Sequence, residues 1–450
     1  MSPAHARQPG HGQQRGNGRT GLISRLTAGW HESDRPASLH EHARRYGELP
    51  PVHRGRVGGH DLIEQVTAAG LTGRGGAGFP TGTKMHAVAA RRGPAVLVAN
   101  GMESEPASGK DQALLGRAPH LVLDGIELAA AAVGATTAYL CLPRSRAWLA
   151  DIADAAIRER QHAGIDTVPA EVRELPHNYV SSEETSLVHW LNGGEARPTA
   201  TPPRPFERGV RKRPTLIDNV ETLAHVALIA RYGPSWFGEA GHADSPGTML
   251  ATVTGAVAEP GIYEIAGGTL VGDVLMAARA GAGVEAVLVG GYFGSWHPVS
   301  QVASLPFTRS GLARAGAAPG AGVLFALPPG GCGLVEAARI LRYLSDESAQ
   351  QCGPCMFGLP AIADDLTQLA AGRPDGDPLE RLGRRFRQIS GRGACRHPDG
   401  AVRMAASALS AFAADAHAHS RRRPCIAAHR GRPRTMLLPV PQPATEGAWR

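Results

Sequence analysis

The sequence predicts an α/β layer built on a parallel sheet, then a small α+β module, then a helical bundle. Three observations carry this prediction. Strand and helix patterns alternate through residues 59–246, short strands with tight turns follow through 247–330, and apolar residues at three-and-four spacing fill 331–418. The flanking segments, 1–58 and 419–450, are expected to be a flexible basic extension and a disordered basic tail.

The first region begins with an amphipathic helix at 61–69 and a glycine-rich loop. A buried strand at 95–99 then runs directly into Asn100, and a helix at 119–133 leads to a second strand at 137–142. Strand, helix and strand in this order indicate a Rossmann-like parallel sheet, which holds its ligand beyond the carboxyl ends of the strands.

The second region reads as strands at 249–253, 262–265 and 286–290, with a turn at 259–261 and a helix at 270–280. Such a mixture in roughly eighty residues is typical of a ubiquitin-like (β-grasp) module. The third region predicts helices at 334–345, 358–371, 378–389 and 399–417, which together would form a four-helix bundle.

Composition limits the function classes. The chain has 450 residues, 42% of them hydrophobic, and its net charge of +7 arises mainly from arginines near both ends. Aromatic residues are only 5%, which argues against a nucleic-acid-binding face. No apolar run is long enough to span a membrane, and residues 1–20 lack a signal-peptide core, so a cytoplasmic location is expected.

The most informative motif is the loop that contains Gly73, Arg74, Gly75, Gly76 and, at its end, Lys84. Glycines allow main-chain N–H groups to approach an anion closely, and the two cations add charge-assisted hydrogen bonds. The loop therefore predicts a phosphate-bearing cofactor. The alternative is a flexible linker.

Polar groups follow three apolar stretches. Carboxylates and amides at such places can hydrogen-bond hydroxyls or a ring N–H, although a plain surface turn or a helix N-cap is an equal alternative for each. The candidates are Asn100, Glu103, Ser104 and Glu105; Ser182, Glu183 and Glu184 after Tyr179; and Asp218, Asn219 and Thr222.

Six cysteines, clustered late in the chain, favour metal or redox chemistry over a disulfide framework. Cys352 and Cys355 form a C-x2-C turn at a helix start, and Cys395 lies in a later loop. Zinc, an iron–sulfur cluster or a redox dithiol all fit this pair, and nothing in the sequence places Cys141, Cys332, Cys425 or His397 as a fourth ligand.

Taken together, these motifs resemble the NADH-binding flavoprotein subunit of respiratory complex I and its relatives in NAD-linked hydrogenases and formate dehydrogenases. The resemblance covers roughly residues 59–418, in order and with matching spacing. It is carried by the loop from Gly73 to Lys84, by Asn100, Glu103, Glu105, Lys110 and Asp111, by Glu183-Glu184-Thr185, and by Thr215 to Thr222.

The resemblance implies FMN, an iron–sulfur cluster of the 4Fe-4S or 3Fe-4S type, and NAD(H) or NADP(H) as substrate. It also implies a soluble-ligand-binding (SLBB) type of β-grasp domain, an iron–sulfur helical bundle, and a ferredoxin or 2Fe-2S sister subunit as electron partner. The implied FMN residues are Gly73, Arg74, Gly75, Gly76, Lys84, Asn100, Glu103, Ser104, Ser182, Glu183, Asp218, Asn219 and Thr222. The implied nicotinamide residues are Phe79, Tyr179, Glu105 and Glu184, the last two catalytic, and the implied cluster ligands are Cys352, Cys355 and Cys395.

Several positions depart from the family pattern. A carboxylate near the flavin is replaced by Met102, and the first of two adjacent asparagines is Asp218. The first cluster cysteine is replaced by Ala349. The changes expected around the nucleotide are Met85, Ala87, Thr201 and Arg204, which replace two aromatic residues, a lysine and a phenylalanine.

The sequence therefore predicts an FMN-dependent oxidoreductase subunit that takes a hydride from NAD(P)H and passes single electrons to an iron–sulfur centre. FMN binding is better supported than NADH binding, and Arg204 could favour a 2′-phosphate and hence NADPH. The alternatives are a degenerate paralogue that serves as a binding or assembly module, and a β-grasp ligand binder with a vestigial flavin domain.

Overall fold

A computed structural model describes residues 23–50, 56–429, 438–441 and 449–450. The basic start and tail predicted for 1–22, 430–437 and 442–448 lie outside the described residues. No helix in the described part of the chain is long and apolar enough to cross a membrane.

The first region forms a four-stranded sheet in the order β3-β2-β1-β4, and every neighbouring pair is parallel. The strands are β1 Ala95–Asn100, β2 Ala135–Pro143, β3 Ala170–Leu175 and β4 Thr215–Asn219. Residues 95–99 are all buried, as expected for a strand covered on both faces. Asn100 pairs with Asn219 at the carboxyl edge of the sheet, so the α/β prediction is confirmed and two candidate site segments meet there.

Nine helices in the described residues surround this sheet. They are α1 Leu39–Tyr46, α2 Arg56–Ala68, α3 Thr81–Ala89, α4 Lys110–Arg117, α5 Pro119–Val133, α6 Ala147–His162, α7 Glu184–Leu191, α8 Pro205–Arg208 and α9 Val220–Gly238. Helix α5 begins with Pro119 and ends at Gly134, whose φ of 68° is left-handed. All its residues are buried, and a Cβ at Gly125 would lie only 2.0 Å from the carbonyl oxygen of Leu223, because α5 packs directly against α9.

The second region is a five-stranded sheet in the order β8-β7-β9-β5-β6. The strands are β5 Thr248–Gly255, β6 Gly261–Ala266, β7 Ala286–Val289, β8 Ser295–Pro298 and β9 Val323–Ala326, with helices α10 Val271–Ala277, α11 Val299–Val302 and α12 Arg309–Ala313. The central β5 and β9 are parallel and the other pairs are antiparallel. Strands β8 and β9 were not anticipated from the sequence pattern.

The third region is helical, as predicted. Its helices are α13 Gly333–Asp346, α14 Leu359–Ala370, α15 Pro378–Ile389, α16 His397–Ala411, α17 Ala413–Ser420 and α18 Ile426–His429. A single π-helical turn, Pro354–Gly358, leads into α14. The helix predicted at 399–417 is divided, because Phe412 (φ −113°, ψ 38°) leaves helical geometry between α16 and α17.

The extension predicted to be flexible through residue 58 is partly ordered. Leu26 is fully buried, and the carboxylate of Glu264 accepts the backbone N–H groups of residues 25, 26 and 27. Ser38 and Glu41 form a capping box at the start of α1. At the other end, Leu438 is buried and Trp449 accepts the N–H of Ala196, so the tail prediction is also wrong for these residues.

Candidate functional site

The glycine-rich loop connects α2 to α3 beside the carboxyl edge of the parallel sheet. The N–H of Gly73 donates to the carbonyl of Phe79 at 2.8 Å, which closes the loop. A Cβ at Gly75 would lie 3.4 Å from the Cβ of Asn219, and Gly76 adopts a φ of 106° that L side chains rarely reach. The loop backbone therefore lies within van der Waals contact of the end of β4 at Gly75, and Gly76 needs glycine because of its positive φ.

The two cations of the loop have different surroundings. The buried guanidinium of Arg74 donates to the carbonyls of Pro246 and Thr248, and its backbone N–H donates to the hydroxyl of Thr222. The guanidinium thus fastens the loop to Pro246 and to Thr248 at the start of β5, whereas the sequence led us to expect its contact with an anion.

Lys84 remains at the sheet edge. Its Nζ lies 2.7 Å from the carbonyl oxygen of Ile217 and 3.0 Å from Oδ1 of Asp218, and the side chain is partly exposed. Burial raises the pKa of Asp218, with Lys84 opposing the shift and nearby Glu184 adding to it. The Asp218 Oδ2 atom is buried and has no hydrogen-bond partner among the described residues.

Other polar groups meet at the ends of β1 and β4. The side-chain amide of Asn100 donates to the carbonyl of Ser182 at 2.9 Å, and that of Asn219 donates to Asp111 at 2.6 Å. The hydroxyl of Ser104 is buried without a partner in the described part of the chain. Unpartnered polar atoms in a protein interior are costly, and a bound ligand is one way to satisfy them.

Glu103 has a structural set of contacts. Its buried carboxylate accepts the N–H groups of Asp111 and Gln112 in the first turn of α4, together with the Ser108 hydroxyl. Burial, and repulsion from Asp111, raise the pKa of Glu103. This carboxylate positions α4, and all three hydrogen bonds named here stay within the protein.

Glu105 joins the first two regions. Its Oε2 accepts hydrogen bonds of 2.8 Å from the hydroxyl of Tyr179 and from the backbone N–H of Tyr292. Burial raises the pKa of Glu105 to about 7, although these hydrogen bonds oppose the shift. A carboxyl that titrates near neutrality can hold or release a proton under ordinary conditions.

Two of the predicted nicotinamide residues, Phe79 and Glu184, lie on a more exposed rim. The carboxylate of Glu183 caps α7 by accepting the N–H groups of Thr185 and Ser186, whereas Glu184 is 37% exposed. Arg204 lies 3.9 Å from Glu184, and the ring of Phe79 is half exposed. An acid, a cation and an aromatic surface are thus available to solvent.

Three thiols define a candidate metal centre. Cys352 and Cys355 lie at the π-helical turn before α14, and Cys395 lies just before α16. Burial raises the pKa of Cys355, and proximity to Cys352 and Cys395 adds to the shift. Cys352 and Cys395 thus lie near enough to Cys355 to affect its thiol, but among the described residues the three sulfurs do not all lie within 4.8 Å of one another. Ala349 is buried and offers no donor atom.

Tyr179 connects the carboxylate site with the thiol site. Its backbone N–H donates to Oε2 of Glu347 at 2.9 Å, two residues before Ala349. Its ring centroid lies 5.7 Å from that of His397, which follows Cys395 by two residues. Pattern reading missed Tyr292, because it shares no motif with its spatial partners, and it named His397 without placing it.

Comparison with known proteins gives consistent results. The family described as Nuo51 FMN-binding domain matches residues 66–228, and the NADH-ubiquinone oxidoreductase-F iron-sulfur binding region matches 336–419. The chain is 32% identical to the second NADH-quinone oxidoreductase F-subunit of Rhizobium meliloti over 379 residues, 81% of this chain and 90% of the relative. It is 30% identical to the NADH-quinone oxidoreductase F-subunit of Escherichia coli over 373 residues, 78% and 82% of the two chains.

Solved structures also resemble it. An NAD+-reducing [NiFe]-hydrogenase in the air-oxidized state matches with a TM-score of 0.79 and 30% identity over 90% of this chain and 67% of the other. The same type of hydrogenase in the H2-reduced state matches with a TM-score of 0.76 and 31% identity over 82% of this chain. In that second comparison the chain spans 63% of the hydrogenase chain.

Proposed function

We propose, from the premise that this chain belongs to the family of NADH-quinone oxidoreductase F-subunits, specific roles for its residues in electron transfer. The chain is an FMN and iron–sulfur flavoprotein subunit of the NAD(P)H dehydrogenase type. The flavin supplies two-electron acceptance and one-electron release, and the protein binds and orients it. The observation that supports these roles is the position of Glu105 between the sheet edge and the thiols. Its carboxylate accepts from Tyr179 and Tyr292, and the N–H of Tyr179 donates to Glu347 near Ala349.

FMN would bind along the carboxyl edge of the parallel sheet. The cradle at Gly75 and Gly76, the Lys84 ammonium, and the unpartnered Asp218 and Ser104 oxygens fit a phosphorylated ligand with several hydrogen-bonding groups. Arg74 would support the loop from behind. The carboxylate missing at Met102 is offset by the additional one at Asp218, so the site keeps its number of acids.

Glu105 and Glu184 would orient the nicotinamide nucleotide. An ionised carboxylate favours hydride donation, because positive charge grows on the nicotinamide ring as the hydride leaves. Arg204 neutralises part of the Glu184 charge and supplies a cation suited to phosphate. We therefore propose NADPH as the alternative donor to NADH.

Cys352, Cys355 and Cys395 would bind three irons of a cluster. Ala349 cannot supply a fourth thiolate, so the last corner would carry a non-cysteine ligand or remain vacant as a 3Fe-4S cluster. The region from α13 to α16 would be the iron–sulfur four-helix bundle. The sheet order of β5–β9, with its parallel central pair, supports an SLBB-type β-grasp module.

An electron partner would dock beside the cluster. The side chains of Met356 and Phe357, directly after Cys355, are 50% and 71% exposed. Exposed arginines lie in the neighbouring segment, with the Arg396 side chain 91% exposed next to Cys395. An apolar centre with a basic rim suits an acidic ferredoxin or a 2Fe-2S sister subunit.

Anaerobic purification followed by flavin, iron and sulfide analysis tests this function. We expect one flavin per chain, bound iron and sulfide, and bleaching of the flavin by NADH or NADPH. The second candidate, a non-catalytic paralogue, is favoured by the loss of a cluster ligand at Ala349. A colourless protein after flavin and iron reconstitution would overturn the proposed function and support that candidate.

A further inference from the structure

A second group of potential metal ligands lies apart in sequence from the three cluster cysteines. Cys332, His419 and Cys425 each place a sulfur or ring nitrogen within 4.8 Å of the other two. Cys332 and His419 are buried and Cys425 is half-buried. Such convergence brings together the start of α13, the end of α17 and the segment that leads into α18.

Cys332 is well placed to bind as a thiolate. It is the N-cap residue of α13, so its side chain lies at the N-terminus of that helix. Helix N-terminal N–H groups favour negative charge on a thiol sulfur.

His419 is held in the tautomer that a metal requires. Its Nδ1 lies 3.1 Å and 3.3 Å from the carbonyl oxygens of Ala370 and Leu369 at the end of α14. Nδ1 must therefore carry the proton, which leaves the lone pair on Nε2. A ring N–H donated to a carbonyl is the usual support of a metal-bound histidine.

The lone pair of Nε2 accepts the backbone N–H of Cys425 at 2.9 Å in this geometry. A bound ion would take the place of this N–H at Nε2, so the short connection between α17 and α18, which contains Cys425, would have to move. The sulfurs of Cys425 and Cys332 lie within 4.8 Å of each other, so both thiols already face the same point.

We propose that Cys332, His419 and Cys425 bind one Zn²⁺ ion, with water as the fourth ligand. Two thiolates and an imidazole are ligands that zinc prefers, and they balance its charge. The spacing suits a single ion, since the three ligand atoms lie within 4.8 Å of one another and small shifts would bring all of them to one centre. The ion would fasten α17 and α18 to the ends of α13 and α14, so its binding energy would add to folding stability.

Metal analysis of the full chain tests this proposal. Protein purified in reducing buffer without chelator is dialysed against Zn²⁺, and zinc and iron are measured separately. We expect one zinc per chain in the wild type and in Cys352→Ser/Cys395→Ser, which should lose iron. Cys332→Ser/Cys425→Ser should lose zinc and keep iron, and Cys141→Ser, in the core of β2, should keep both.

Two further measurements keep the proposal falsifiable if the double variant folds poorly. The single variant Cys425→Ser should weaken zinc binding by more than the ~10–100-fold cost of losing an outer-shell partner. Co²⁺ should give thiolate charge-transfer and tetrahedral ligand-field bands in the wild type and none in Cys332→Ser/Cys425→Ser. Equal zinc contents in wild type and the folded Cys332→Ser/Cys425→Ser variant would overturn the proposal, as would a Cys332–Cys425 disulfide that persists under reductant.

Discussion

Replacing Glu105 by glutamine should remove a titration that affects both catalysis and stability. The pKa of the buried Glu105 carboxyl is raised from 4.5 to about 7, mainly by burial. Glutamine keeps the side-chain shape and an oxygen that can accept from Tyr292, but it cannot ionise. We expect the rate of flavin reduction by NADH to rise through about pH 7 in the wild type, because only the ionised carboxylate stabilises the positive nicotinamide ring.

The raised pKa of Glu105 also predicts that folding stability falls as pH rises, whereas the rate of flavin reduction increases. Since the folded-state pKa lies above the unfolded one, the stabilising contribution is complete below about pH 4.5 and is lost as pH rises through about 7. A shift of about 2.5 pKa units corresponds to roughly 3 kcal/mol. For a folding unit of 150–250 residues, that free-energy change corresponds to about 6–12 °C in Tm.

Stopped-flow flavin reduction and thermal unfolding from about pH 5 to about pH 9 test both effects. In Glu105→Gln the rate of flavin reduction should not change near pH 7. As pH rises through about 7, its Tm should fall less than that of the wild type. Glu127→Gln is the matched control. Glu127, in α5, is also buried and accepts hydrogen bonds from Thr167 and Val168, but it lies in none of the loop motifs. Identical pH profiles and Tm changes in wild type and Glu105→Gln would refute the assignment.

Four other outcomes are expected. Gly75→Asp should abolish FMN retention on gel filtration without unfolding, since its Cβ would lie 3.4 Å from Asn219 and its charge would repel phosphate. Gly238→Asp, where a side chain meets open space, should retain FMN, and full flavin absorbance in Gly75→Asp would contradict the loop assignment. Arg204→Ala should raise the KM for NADPH roughly tenfold more than that for NADH, because a lost phosphate contact of about 1.4 kcal/mol weakens binding tenfold. Equal effects on the two nucleotides would exclude a 2′-phosphate contact. Ala349→Cys should raise iron occupancy and air stability, measured by iron counting and electron paramagnetic resonance, and iron-free protein in both forms would remove the cluster assignment. Phe357→Glu should slow electron transfer to an acidic ferredoxin while leaving flavin reduction unchanged, and an unaltered transfer rate would place the docking surface elsewhere.

Much of the site could be predicted from the sequence because its information is local. The glycine spacing of the loop, the polar residues that follow β1 and β4, and the C-x2-C turn each lie within one short segment. Hydrophobic periodicity predicted the helix at 378–389 with its observed bounds, because one apolar face repeats at helical spacing. The resemblance to the NADH-binding flavoproteins rested on these local motifs, and family comparison confirmed it.

Side-chain partners across the chain were decided only by the tertiary structure. Arg74 turns to the carbonyls of Pro246 and Thr248, 172 and 174 residues away, although its place in the loop suggested an anion contact. Residues 25–27 likewise are held by Glu264 of β6, whose carboxylate accepts their backbone N–H groups.

The sequence alone thus determined which groups this protein can bring to a cofactor, since spacing within a loop or turn follows from neighbouring residues. Only the tertiary structure decided which groups meet. Glu105 contacts Tyr292, and His419 approaches Cys332, across 187 and 87 residues of chain. Long-range pairing of this kind depends on packing between regions, and no local pattern encodes it.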